Sequence, residues 1–112
     1  SKPTCCTRSN AMNFAEFQTQ DRRLVLLRGL EGASGYTANS ILLGRFCESM
    51  GVGASADRIR QDLAWLGEQS LVTFHEAPAP GAVVIATLTE RGLDVANGRT
   101  VVPGVARPQP GL

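Results

Sequence analysis

The segment between Ser55 and Leu66 constrains the fold more than any other part of the sequence. Ser55 is a residue type that caps helix N-termini, and Asp57 complements the positive end of a helix dipole. Ile59, Leu63 and Leu66 follow at spacings of four and three residues, which places their side chains on one side of a helix. The pattern therefore predicts a helix over about residues 56–69 with one buried face.

Two further helical patterns precede this segment. Apolar residues recur mostly at three- and four-residue intervals over residues 14–32, and the glycines at 32 and 35 supply a stop. A shorter apolar stripe covers about residues 39–50, and a turn with two glycines at 51–55 joins it to the third helix. Two helices joined by a short glycine-containing turn are typical of a helix-turn-helix.

After Ser70 the pattern changes to one typical of strands. Residues 71–75 and 82–87 are rich in β-forming side chains and flank a proline- and glycine-rich link at 77–81. They predict a β-hairpin with an exposed tip, because proline cannot donate a ladder hydrogen bond. Thr89 then caps a short final helix that stops at Gly98.

The predicted organisation is one domain with a short segment on either side. Ser9, Asn10 and Ala11 ahead of Met12 resemble the remnant of an expression tag, so residues 1–11 are expected to be tag residues. The domain is expected over residues 12–98. The tail at 99–112 has three prolines, two glycines and little periodicity, and we expect it to be extended or partly disordered.

Composition and charge limit the classes of function. The chain has 112 residues and a formal net charge of +1, so attraction to phosphate requires local clustering of arginine. No apolar run reaches the roughly 18 residues needed to span a bilayer, and the N-terminus lacks a signal-peptide core. These features predict a soluble, cytoplasmic protein.

The sequence offers few groups for catalysis or metal binding. Setting aside Cys5 and Cys6 with the tag leaves Cys47, which supports neither a disulfide framework nor a metal site and is expected to be a small buried hydrophobe. His75 is the single histidine and lacks a nearby pattern of catalytic partners. We therefore expect a protein that is not an enzyme and uses no metal or other cofactor.

A family resemblance rests on two stretches of sequence. Residues 62–72, DLAWLGEQSLV, are similar to the recognition-helix signature of ArsR- and MarR-like bacterial regulators, although Ser70 replaces the usual glycine. Residues 88–92, LTERG, resemble the segment that follows the wing in those families. The whole chain also looks like small winged-helix proteins of Mu-like prophages. The resemblance implies a mainly α fold with a β-hairpin (α+β), a winged helix-turn-helix with a three-helix core, a wing and a short C-terminal helix.

The resemblance also implies a function, namely binding of double-stranded DNA by a transcriptional regulator of phage or prophage origin. The third helix would then be the recognition helix, whose N-terminal half enters the major groove. Arginine can pair with guanine and glutamine with adenine there. The residues expected to contact DNA are Ser55, Asp57, Arg58, Arg60, Gln61, Asp62 and Arg91.

The same sequence supports an alternative, a winged-helix module that associates with a protein partner and does not bind DNA. Residues 71–88 contain no lysine or arginine, so the wing cannot attract a phosphate backbone. Asp57 and Asp62 also offset the positive charges of the third helix. In that case residues 83–85 would offer a strand edge to another chain.

The first helix raises the question of self-association. Leu24, Val25, Leu26 and Leu27 are consecutive, and one core is not expected to bury all four from one helix face. A homodimer through these residues would bury the remainder and pair two recognition helices. The arginines at 22, 23 and 28 form either a phosphate patch or, with Asp21 and Glu31 nearby, a solvated or salt-bridged face. Trp65 is expected to pack on the first helix or to lie in a dimer seam.

Overall fold

A computed structural model describes residues 13–77 and 83–108 of the chain. The described part consists of helices and one antiparallel sheet, with a short 3-10 turn at Ser34–Tyr36. Its elements in chain order are α1 (Phe14–Glu31), β1 (Thr37–Asn39), α2 (Ser40–Ser49), α3 (Ala56–Glu68), β2 (Val72–Glu76), β3 (Val84–Leu88) and α4 (Glu90–Ala96). The prediction of an α+β winged helix is confirmed.

Polar caps fix where the helices begin. The Ser55 hydroxyl accepts a hydrogen bond from the Arg58 amide at 3.2 Å, and the Thr89 hydroxyl accepts one from the Gly92 amide at 3.0 Å. Both caps were predicted from the sequence. Asn13 caps α1 in a reciprocal box with Glu16, and Asn39 caps α2. Each cap satisfies a backbone donor that the first helical turn leaves free.

The end of α3 shows how the chain manages without the usual glycine. Ser70 follows the helix with φ of +64°, in the left-handed region that glycine adopts at lowest cost. Its amide donates to the Gly67 carbonyl, and the Leu71 amide donates to the Leu66 carbonyl. These bonds occupy carbonyl groups of the last helical turn, and the chain then enters β2.

The sheet contains one strand that the sequence did not indicate. Its order is β1-β3-β2, with β1 and β2 both antiparallel to β3. Thr37 faces Thr87 across the first pair, and their hydroxyl groups are 2.9 Å apart. Because β3 is the central strand, the prediction that residues 83–85 offer a free edge is wrong; the edges of the sheet are β1 and β2.

Helix α1 lies at the centre of the core. It contacts α2, α3, α4 and β3, so apolar side chains on several of its sides become buried. Leu26 and Leu27 have no exposed surface, and Leu24 and Val25 are 6% and 8% exposed. The expectation that one core could not bury these four residues is therefore wrong, because the chain surrounds α1 rather than covering a single face.

The C-terminal strap, residues 99–108, completes that enclosure. Val102 and Val105 are buried, and the Ala106 amide donates to the Gln20 carbonyl of α1 at 3.1 Å. These contacts make the strap part of the domain, so the predicted boundary at residue 98 is too early. The strap forms no helix or strand, as the prolines suggested, but it is packed against the core.

Some predictions concern residues outside the described ranges. These are the tag residues 1–11 with Cys5 and Cys6, residues 78–81 of the predicted hairpin tip with Ala82 of the strand after it, and the last four residues of the tail. Among the described helices, none is both long and apolar enough to span a bilayer.

Candidate nucleic-acid interface

The candidate interface is the solvent-facing side of α3. The opposite side of α3 is buried and consists of Ile59, Asp62, Leu63 and Leu66. Helical geometry places the centre of the solvent-facing side at residues 57, 61, 64 and 68. Asp57, Gln61 and Glu68 are exposed there and Ala64 is half-buried. The outward side therefore presents two carboxylates and one amide, with arginines only on its flanks.

The two flanking arginines of α3 differ in their surroundings. The Arg60 guanidinium pairs with the Asp57 carboxylate one turn earlier, so the two charges largely cancel. Arg58 is exposed on the other flank, and no carboxylate of the described residues lies within 4 Å of its guanidinium. Arg58 is thus the cation of α3 available to an outside anion.

Asp62 does not lie on the exposed side of α3, where it was predicted to contact DNA. It is 2% exposed, and its Oδ2 accepts a hydrogen bond from Nε of Arg22 at 2.5 Å. Nε of Arg23 lies 3.6 Å from its Oδ1. A carboxylate enclosed by two arginines of α1 cannot reach a base edge, so the prediction that Asp62 contacts DNA is corrected. Its effect on the interface is to fix α3 against α1.

Arg23 extends this buried network to the strap. Its guanidinium lies over the Trp65 ring, 3.9 Å from the centroid, and its Nη1 donates to the Gly104 carbonyl at 3.0 Å. Burial lowers the pKa of Arg23, and the nearby Asp62 carboxylate opposes that shift. Trp65 therefore packs on α1, one of its two predicted positions. The network joins α1, α3 and the strap.

Arg91, a residue of α4, lies near the C-terminal end of α3, whereas Arg58 is near its N-terminal end. It is exposed on α4, and its Nε donates to the Gln69 carbonyl just after α3 at 3.2 Å. Gln69 follows Arg58 by eleven positions, which corresponds to about 16 Å along the helix axis. The structure thus brings Ser55, Asp57, Arg58, Arg60 and Gln61 together at the N-terminal half of α3 and places Arg91 apart from them.

The described part of the wing adds polar and aromatic side chains but no cation. His75 and Glu76 are exposed on β2, and Phe74 is 43% exposed where its ring covers Gly67 of α3. A Cβ at Gly67 would lie 2.5 Å from the Phe74 ring, so the glycine permits β2 to approach α3 closely. The wing is held firmly to α3 without contributing positive charge.

Cys47 belongs to the core rather than to any site. It has no exposed surface, and burial raises the pKa of its thiol to about 11. The prediction of a small buried hydrophobe is confirmed. The residues that the structure describes contain no cluster of three or more histidine, cysteine or acidic side chains suited to a metal ion.

Arg22 and Arg23 are the residues around this site that the sequence reasoning placed least well. The adjacent arginines were assigned to a phosphate patch or to a solvated or salt-bridged face, but Arg22 is 6% exposed. Asp62 itself did carry a signal, because it lies three residues after Ile59 and four before Leu66 and so shares their side of the helix.

Comparison with known proteins gives two relatives in sequence. The chain is 42% identical over 92 residues to the uncharacterized protein gp26 of Escherichia phage Mu, covering 82% of this chain and 92% of that protein. It is 39% identical over 82 residues to an uncharacterized protein of Haemophilus influenzae strain Rd, covering 73% and 78% of the two chains. No protein family model matches the sequence.

Solved structures share the fold at low sequence identity. The chain superimposes on the complex structure of hsRosR-S1 with a TM-score of 0.55. The two sequences are 20% identical, and the match covers 67% of this chain. This chain spans 63% of the length of that protein. For the complex structure of hsRosR-S4 the TM-score is 0.54 with 18% identity, covering 74% of this chain and 71% of the other. At these identities the likeness shows the winged-helix fold.

Proposed function

This chain belongs to the family of the phage Mu protein gp26, and from that premise we propose that it is a DNA-binding winged-helix protein that regulates transcription in a phage or prophage. Its recognition helix is α3. The observation that carries the proposal is the N-terminal half of α3, which is capped by Ser55 and exposes Asp57, Arg58 and Gln61 on a helix fixed to the core.

Each exposed side chain of α3 has a chemical role in this proposal. Gln61 lies on the outward side and can pair with adenine through its amide, while Arg58 reaches guanine or a phosphate from the flank. Ser55 and Arg60 border the same half of the helix, and Asp57 accepts from a cytosine amine once Arg60 turns to a phosphate. Arg91, at the far end of α3, contacts the backbone.

The proposal includes a homodimer that acts in the cytoplasm, where the DNA of a phage or prophage is. Two copies related by a two-fold axis would present two α3 helices to neighbouring half-sites about one helical turn of DNA apart. The likeness to winged-helix proteins of known structure supports the fold on which this arrangement depends, and not the dimer itself.

The test is a pair of alanine substitutions with a charge-matched control. Duplexes selected from a random library are titrated with Arg58→Ala and Gln61→Ala, and each change is expected to weaken binding by roughly 1 to 3 kcal/mol if it reads a base. Arg99→Ala serves as the control, since Arg99 is paired with Asp94 outside α3. Unchanged affinity for both α3 variants would remove this helix from the interface.

A second candidate is a winged-helix module for protein association, and a specific observation favours it. The outward side of α3 carries Asp57 and Glu68, and the described strands of the wing carry no cation. Such a surface repels phosphate but suits a neutral or basic protein partner. This candidate predicts no binding of mixed-sequence duplex at low salt, where the first predicts the tightest binding.

A further inference from the structure

An apolar groove runs along α1, with residues at the edge of the core in its floor. Its volume is roughly 1070 Å³, and it lies between α1, the end of α2 and the strap. Leu24 and Val25 form part of its floor and keep a few per cent of their surface exposed, unlike Leu26 and Leu27. The groove also carries large apolar side chains that are more than a third exposed: Phe17, Phe46, Met50 and Val101.

The α1 residues that line this groove have an internal two-fold pattern. They include Phe17, Asp21, Leu24, Val25, Arg28 and Gly32, which share one side of the helix. Six of the eight α1 residues in the lining are symmetric about the midpoint between Leu24 and Val25, whereas Gln20 and Glu31 have no counterpart in the lining. Asp21 is thereby matched with Arg28, and Phe17 with Gly32.

We propose that this groove binds a second copy of the chain, with the two α1 helices antiparallel and the two-fold axis passing between Leu24 and Val25. The inference gives a surface to the homodimer named above and rests on that part of the proposed function, but it does not require DNA binding. It also replaces the predicted seam through residues 24–27, since Leu26 and Leu27 are enclosed within one chain.

Charge complementarity identifies the occupant. In the antiparallel arrangement Asp21 of one copy faces Arg28 of the other, and the two-fold axis repeats the pair. Among the described residues, neither side chain has an ion-pair partner within 4 Å in its own chain. Both are therefore available to pair across an interface, with opposite signs at the matching positions.

Shape supports the same register. Phe17 is 55% exposed near the start of α1, and its counterpart position is Gly32, which has no side chain and leaves room for a ring. Phe14, 70% exposed one turn earlier, extends the apolar surface in the same direction. An isologous interface needs such matched projections and gaps, because each copy supplies both.

Sedimentation of charge-exchanged variants tests the proposal. The full chain is expected to sediment at twice its mass of 11.9 kDa at micromolar concentration. Asp21→Arg or Arg28→Asp alone turns both ion pairs into like-charge pairs and is expected to weaken the dimer at least about tenfold. The double variant Asp21→Arg/Arg28→Asp restores the pairs and should recover the dimer. Glu68→Arg, outside the groove, is the charge-matched control and should leave the dimer unchanged.

Three results would overturn the proposal: a monomer up to about 100 μM, a dimer that tolerates both single exchanges, or a double exchange that fails to recover association. Phe17→Ser provides a second variant, since an exposed side chain can be replaced without disturbing the fold, and it should also weaken the dimer. Binding of a DNA duplex by the same samples is measured as a separate result. A stable dimer without DNA binding contradicts the proposed function and leaves this interface standing.

Discussion

At the scale of single residues, Asp62 shows how a charged side chain can organise an interface without entering it. Its position on the apolar side of α3 was readable from its spacing, yet its charge suggested exposure. Its partner Arg22 lies 40 residues away, a separation that helical periodicity cannot connect. Asp62 can be buried because Arg22 and Arg23 of α1 balance its negative charge, and the carboxylate in turn balances theirs.

Replacing Asp62 with asparagine is expected to lower the free energy of unfolding by roughly 3 to 5 kcal/mol, because Arg22 and Arg23 then remain enclosed without a counter-charge. Asp57→Asn is the matched control. Its ion pair with Arg60 is exposed and should change stability by less than about 1 kcal/mol. Urea denaturation measures both, and equal effects would refute the structural role of the buried pair.

Cys47 gives a second prediction at this scale, one that depends on pH. Because burial raises the pKa of its thiol to about 11, the unfolded chain loses this proton at a lower pH than the folded chain does. The stabilising contribution is complete below the unfolded pKa of about 9 and is lost as pH rises towards 11. In a Cys5→Ser/Cys6→Ser background, stability should fall less steeply over this range after Cys47→Ala. Parallel curves would disprove the assignment.

At the scale of elements, local signals predicted most of the chain. The apolar spacing and the caps indicated all four described helices, and the runs of β-formers indicated β2 and β3. The two features that escaped prediction depend on distant contacts. β1 is three residues long and is defined by its pairing with β3, and the strap is ordered by the surface of α1. β1 is too short to show a period of its own, and the strap contains no helix or strand that would have one.

Gly104 is the position where the strap depends most on one residue. It has φ of +98°, and a Cβ there would lie 2.7 Å from the Trp65 ring. Gly104→Ala should therefore lower the free energy of unfolding by roughly 2 to 4 kcal/mol through backbone strain and steric overlap together. Gly51→Ala is the control for backbone strain alone. Gly51 also has a positive φ, of +83°, but a Cβ added there would have no neighbouring atom within 4 Å.

Thermal unfolding of the two glycine variants separates these contributions. The Gly51 variant should lose only about 1 kcal/mol, the cost of the backbone conformation. If the two losses were equal, the strap would not pack against Trp65 as described.

At the scale of the whole molecule, the chain wraps around α1 and leaves two distinct surfaces. One is the N-terminal half of α3, and the other is the groove along α1. The buried network of Arg22, Arg23 and Asp62 ties the two together, because it joins the helix of the groove to the helix of the candidate interface. The sequence indicated that both helices expose a binding surface. It did not show which residues of α1 are buried, because part of that helix is covered by the strap.

The salt dependence of duplex binding tests DNA recognition most directly. Fluorescence anisotropy with a mixed-sequence duplex of about 30 base pairs, between about 50 and 200 mM salt, should give a log-log slope near −2 per copy. On a mixed-sequence duplex, where Asp57 reads no base, this value follows if Arg58 and Arg91 contact phosphates and Arg60 keeps its pair with Asp57. Arg58→Ala should make the slope shallower by about 1. No binding at 50 mM salt, or affinity independent of salt, would contradict DNA recognition and favour protein association.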